Sequence, residues 1–114
     1  MGYTNYWKQP TDFTNEEWDA VKREFNYVCY IGEDFIDEVT ISYVTDSIIF
    51  DALNCETFRI NKRAEDSTSF CKTSAGIVDI YVWHMLTFCQ MIKEDFTCSR
   101  DGWYWEKKNK KEKA

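Results

Sequence analysis

The longest apolar interval of the chain is Phe70–Phe96, FCKTSAGIVDIYVWHMLTFCQMIKEDF, and its period is helical. On a wheel of about 100° per residue, Ile77, Val78, Ile80, Tyr81, Val82, His84, Met85, Phe88, Cys89, Met91 and Ile92 fill one arc of roughly 200°. A surface helix needs an apolar stripe of only about 100°. A helix over 76–95 is therefore expected to be buried on two sides, under a sheet and another helix or in a subunit interface. The opposite arc carries Asp79, Thr87, Gln90, Lys93 and Glu94, but also Trp83 and Leu86. Two large apolar groups on the wet side suggest contact with something outside the domain. A membrane helix needs about 18 or more apolar residues in succession, and no such run exists.

A second helix, 15–29, announces itself locally. Thr14-Asn15-Glu16-Glu17 is a capping box, with Phe13 and Trp18 as its hydrophobic staple. Trp18, Val21, Phe25, Val28 and Cys29 share one face, opposite Glu16, Glu17, Asp19, Arg23 and Glu24. Gly32 breaks the pattern, and Glu33, Asp34, Asp37 and Glu38 follow. They lack the alternating ligand spacing of a calcium loop, so they read as a solvated acidic surface rather than a metal site.

From Val39 the period changes to two. VTISYV, SIIFDAL and ETFRIN, separated by turns at 45–47 and 54–55, predict an antiparallel meander with Phe58 and Ile60 inward. Residues 62–69 are a polar loop. FTCS (96–99) predicts a fourth strand ended by a turn at Arg100-Asp101-Gly102, a hairpin that WYWE (103–106) would extend. Residues 1–10 are compatible with an edge strand ending at Pro10. The expected fold class is α+β: one domain over 1–105, order α-β-β-β-α-β, with two helices on a small antiparallel sheet. A Lys-rich tail, 106–114, is expected to be disordered.

Charge sharpens this picture. The tail holds five Lys and two Glu, net +3, so the preceding 105 residues carry nine basic and eighteen acidic residues, net −9. Such a body repels nucleic-acid phosphate unless its cations cluster, and direct nucleic-acid binding is not expected. Five cysteines without paired spacing, and no signal peptide, point to reduced thiols and a cytoplasmic setting. No metal or cofactor is implied.

Catalytic candidates are few. Cys71 ahead of the long helix would have a lowered thiol pKa at a helix start, but the only His, His84, lies roughly 20 Å further along at ~1.5 Å per residue. His84, inside the apolar arc, reads as a core histidine. Arg59, Lys62 and Arg63 before the loop and Lys72 after it would form an anion site if the loop folds back. No enzymatic constellation emerges.

ETF (56–58), FCKT (70–73), an apolar helix and S-R-D-G (99–102) resemble a pattern in small uncharacterised tailed-phage proteins. Where those proteins continue F-C-K-T with a basic residue and Pro-Tyr-Asp, Ser74-Ala75-Gly76 stands here. The resemblance covers about 56–102 and implies no catalytic residues, only a phage gene expressed in a bacterial cytosol. The reading that follows is a small non-enzymatic binding protein that engages and inhibits a host protein, such as a defence or nucleic-acid-binding factor. Its expected partner surfaces are Trp83 with Leu86, the acidic group Glu33, Asp34, Asp37 and Glu38, and Trp103 with Trp105. The alternatives are a nucleotide or small-anion module using Arg59, Lys62, Arg63 and Lys72, and a structural homodimer through the 77–92 helix.

Overall fold

The Thr14 capping box forms as the sequence dictates. In the computed structural model, which describes residues 2–74 and 76–102, the Glu17 N–H donates to Thr14 Oγ1 at 3.1 Å. The Thr14 N–H donates back to Glu17 Oε1 at 2.8 Å. This start satisfies two of the orphan amides of α1 (Asn15–Ile31),. The remaining elements are β1 (Gly2–Lys8), β2 (Glu38–Ser42), β3 (Ser47–Asp51), β4 (Phe58–Asn61), β5 (Ser69–Ser74), α2 (Ile77–Ile92) and β6 (Thr97–Gly102).

The strands divide into two small antiparallel sheets. The predicted meander makes one, in order β2-β3-β4, and β5-β1-β6 makes the other. Phe50 opposes Phe58 and Ile48 opposes Ile60 in register, and all four are buried beneath α1. Phe25 of α1 stacks on Phe50 with ring centroids 6.1 Å apart. In the other sheet β1 lies in the centre, antiparallel to both neighbours. β5 and β6 therefore run parallel to each other, and α2 is the crossover between them. Phe58 joins the two halves: its ring meets Phe50 at 5.1 Å and Trp7 of β1 at 5.7 Å.

Three expectations change. The sheet is two sheets, not one. β1, expected at an edge, is a central strand, because its inward side chains Asn5 and Trp7 are buried against α2 and the core. The stretch read as a helix start, FCKTS, is strand β5: Cys71 and Thr73 point inward while Phe70 and Lys72 point out, a period of two,.

α2 is also turned about its axis relative to the predicted arc. Leu86 is 0 % exposed and Asp79 3 %, whereas Ile80 and Met91, expected inside, are 62 % and 74 % exposed. The cause is a polar anchor. Asp79 accepts from Asn5 Nδ2 at 3.0 Å and from Thr73 Oγ1 at 2.5 Å, and it pairs with the Arg100 guanidinium of β6. Arg100 in turn lies over the rings of Tyr3 and Trp83, at 4.6 and 5.0 Å. A satisfied carboxylate can be buried where an unpaired one could not. The neighbours of α2 are α1 and the β5-β1-β6 sheet, while Ile77, Ile80 and Met91 on its outer side stay exposed.

The C-cap residue of α1, Gly32, packs closely on α2: a Cβ there would stand 2.6 Å from the Tyr81 ring and 3.1 Å from Ile36 Cδ1. Gly32→Ala is expected to lower stability by about 1–3 kcal/mol through overpacking. Urea unfolding checks this, and an unchanged midpoint would show that Tyr81 swings aside without cost.

Candidate functional site

α1 continues two residues beyond the predicted end, and its final turns carry Tyr27, Tyr30 and Ile31. All three are exposed, Tyr30 by 73 %. The helix is closed by the Gly32 N–H on Val28 O at 2.9 Å, and the Phe35 and Ile36 N–H groups then donate to Gly32 O. That tight turn buries Ile36 and leaves Phe35 and Val39 in solvent. Glu33, Asp34, Asp37 and Glu38, the expected acidic surface, are all exposed around them.

The second helix completes the face. His84 is not a core histidine: it is exposed, and its Nε2 lies 2.6 Å from Glu24 Oε2. With Gly32 against Tyr81, this pair shows that α1 and α2 run antiparallel. Ile80, one turn before His84, therefore lies on the side of Tyr27 and Ile31. Exposed Tyr27, Tyr30, Ile31 and Phe35 at the end of α1, with exposed Ile80 at the start of α2, thus stand near the four exposed carboxylates. A protein-docking surface likewise combines apolar groups with a polar rim.

Electrostatics adds to the charge of the rim. The last turn of α1 has no basic residue, so the acidic group stands at the negative end of the helix dipole. Among the described residues, no Lys, Arg or His forms an ion pair with these four carboxylates. The local potential is strongly negative and complements a cationic surface.

The other expected surfaces fare differently. Leu86 lies in the core, facing the sheet rather than solvent. Trp83 is half-buried beneath the Arg100 guanidinium, so it belongs to the anchor around Asp79. Trp103 and Trp105 lie outside the described residues. Tyr27, Tyr30, Ile31, Phe35 and Ile80 were not singled out in the sequence. Ending α1 at residue 29 kept Tyr30 and Ile31 off its wheel, and the arc assigned to α2 placed Ile80 inside.

Of the four cations of the expected anion site, Lys72 and Arg59 line different grooves. Lys72 is on the outer face of β5, in an open groove of about 600 Å³ lined also by Tyr3, Thr4, Asn54, Cys55, Glu56, Thr73 and Ser74. Glu56 accepts from the Lys72 backbone N–H at 2.7 Å, which places a carboxylate where an anion would need to approach. Arg59 instead binds Asn61 Oδ1 at 2.9 Å and Ser47 Oγ at 3.0 Å, in a different cleft. The Lys62 amine donates to Asn15 Oδ1 at 2.5 Å, and Arg63 is exposed. Because 69–74 is a strand, no helix start collects them.

Cys71 is likewise not at a helix start. It is buried in β5, and its Sγ lies 3.4 Å from Glu56 O. Burial foremost, then the nearby Glu56 carboxylate and Cys55 thiol, push its thiol up to about 12. It is protonated at neutral pH and a poor nucleophile.

Among the described residues no helix is long and apolar enough to cross a membrane, and no three His, Cys, Asp or Glu side chains gather as metal ligands. No family model, curated protein or solved structure matches the chain.

Proposed function

We propose that the chain is a non-enzymatic binding protein that docks a basic surface of another protein through the end of α1. The observation that carries this reading is the coincidence of five exposed large apolar side chains with four exposed carboxylates at the end of α1 and the adjoining start of α2. Apolar centre and charged rim divide the work. The aromatic groups supply most of the affinity, while the negative potential steers a cationic partner and excludes acidic ones. A nucleic-acid-binding or defence factor of a bacterial host presents such a cationic face, and occupying it would inhibit the factor. The phage-like pattern over 56–102 supplies the host setting.

The test is capture from nuclease-treated bacterial lysate with tagged protein, repeated with Tyr30→Ala/Phe35→Ala and with Glu33→Lys/Asp34→Lys. Each double variant should weaken binding of the captured protein by about thirty-fold or more, the hot-spot range. Because these side chains are exposed, urea midpoints should stay within about 0.5 kcal/mol of the parent. A partner retained equally by both variants would remove this surface from the reading.

A further inference from the structure

The acidic end of α1 and the exit of the chain from β6 lie at the same end of the molecule. Gly32 packs on Tyr81, in the first turns of α2. Two residues earlier, Asp79 holds Arg100 of β6, and Arg100 is two residues before Gly102. α2 stands between the end of β6 and the turn at 33–38, so the tail must span at least one helix diameter, roughly 10–12 Å, to reach it. The sequence after Gly102 is WYWEKKNKKEKA. Its lysines, Lys107 to Lys113, stand five to eleven residues beyond Gly102. At ~3.3–3.6 Å per extended residue even the nearest can span roughly 16 Å.

We propose that this chain's own segment 103–114 occupies the acidic face in cis, with its lysines on Glu33, Asp34, Asp37 and Glu38. The inference rests on the reading of that face as a docking surface, and it adds regulation: an external basic partner must displace the tail. Charge complementarity identifies the occupant. Residues 106–114 carry net +3, and the surface they can reach joins four carboxylates to the negative end of a helix dipole,. Trp103, Tyr104 and Trp105 precede the lysines, as the apolar centre of the face adjoins its rim. Tethering raises the effective concentration of the tail to the millimolar range, so even a weak intrinsic contact is populated. Such a contact is screened by salt, because the Debye length falls to about 3 Å at 1 M.

Zero-length carbodiimide coupling of the full chain tests this. The reagent activates a carboxylate, and a neighbouring lysine amine displaces the activated group to leave an amide and a urea. The expected result is that most tail cross-links in the monomer band join Lys107–Lys113 to Glu33, Asp34, Asp37 or Glu38. They should fall about five-fold or more in 1 M NaCl. A Glu33→Gln/Asp34→Asn/Asp37→Asn/Glu38→Gln variant should lose them. Tail amides spread over other carboxylates of the body, tail amides only in a covalent dimer, or none at all would each overturn the proposal. Partner capture reads the face itself, so a tail that cross-links without a captured partner counts against the function alone. A partner bound without tail cross-links counts against the regulation alone.

Discussion

Replacing Arg100 by alanine is expected to lower the stability of the fold by about 3–5 kcal/mol, the range for stranding one member of a buried ion pair. Asp79 is only 3 % exposed. Its remaining partners, the Asn5 amide and the Thr73 hydroxyl, are neutral donors that solvate the carboxylate without cancelling its charge. Against a total stability of about 5–15 kcal/mol for an ordinary domain, the loss is a large fraction. Urea unfolding of Arg100→Ala, Asp79→Asn and the double variant would measure it. The double variant should be markedly more stable than the two single losses predict, because removing both charges leaves nothing unpaired. A cost below about 1 kcal/mol for Arg100→Ala would mean that Asp79 gains access to water, and that α2 is oriented by something else. The anchor also matters for the surface, since it holds the first turn of α2, which holds Tyr81 against Gly32.

Phe58→Ala should cost about as much, ~3–5 kcal/mol, for a different reason. Phe58 is 0 % exposed, and its ring is the contact between the meander, through Phe50, and the β1 sheet, through Trp7. Truncation removes the apolar contact and leaves a cavity where the two sheets meet. Phe58→Leu keeps most of the volume and should cost less than about 1.5 kcal/mol. Comparing the two in urea separates cavity formation from mere loss of a ring. Equal, small costs would show that the sheets are held together elsewhere.

The acidic rim of the candidate surface was legible in the sequence, because a run of carboxylates after a helix-ending glycine has no low-cost place except water. Its apolar centre was not. Tyr27, Tyr30 and Ile31 are on the exposed side only because α1 uses Trp18, Val21, Phe25 and Val28 for the core and continues to residue 31. Trp83 and Leu86 were legible as an anomaly, two apolar groups on a polar arc, but the explanation was internal: that arc faces the sheet. The strand over 69–74 was not legible as one: its residues alternate with period two, but next to a long helix such a stretch looks like that helix's beginning.

Local interactions settle part of this protein without reference to distant residues. The capping box and staple start α1 at Asn15, and alternation with short turns makes the β2-β3-β4 meander, since both need only neighbours within a few residues. The rotation of α2, the central place of β1 and the division into two sheets depend on pairings across tens of residues. Asp79 is buried because Asn5 and Arg100 reach it, and a strand as polar as β1 can be central because its buried amide donates to that carboxylate. A hydrophobicity pattern scores each residue alone, so a polar group whose partner lies on another strand is placed outside by the pattern and inside by the fold.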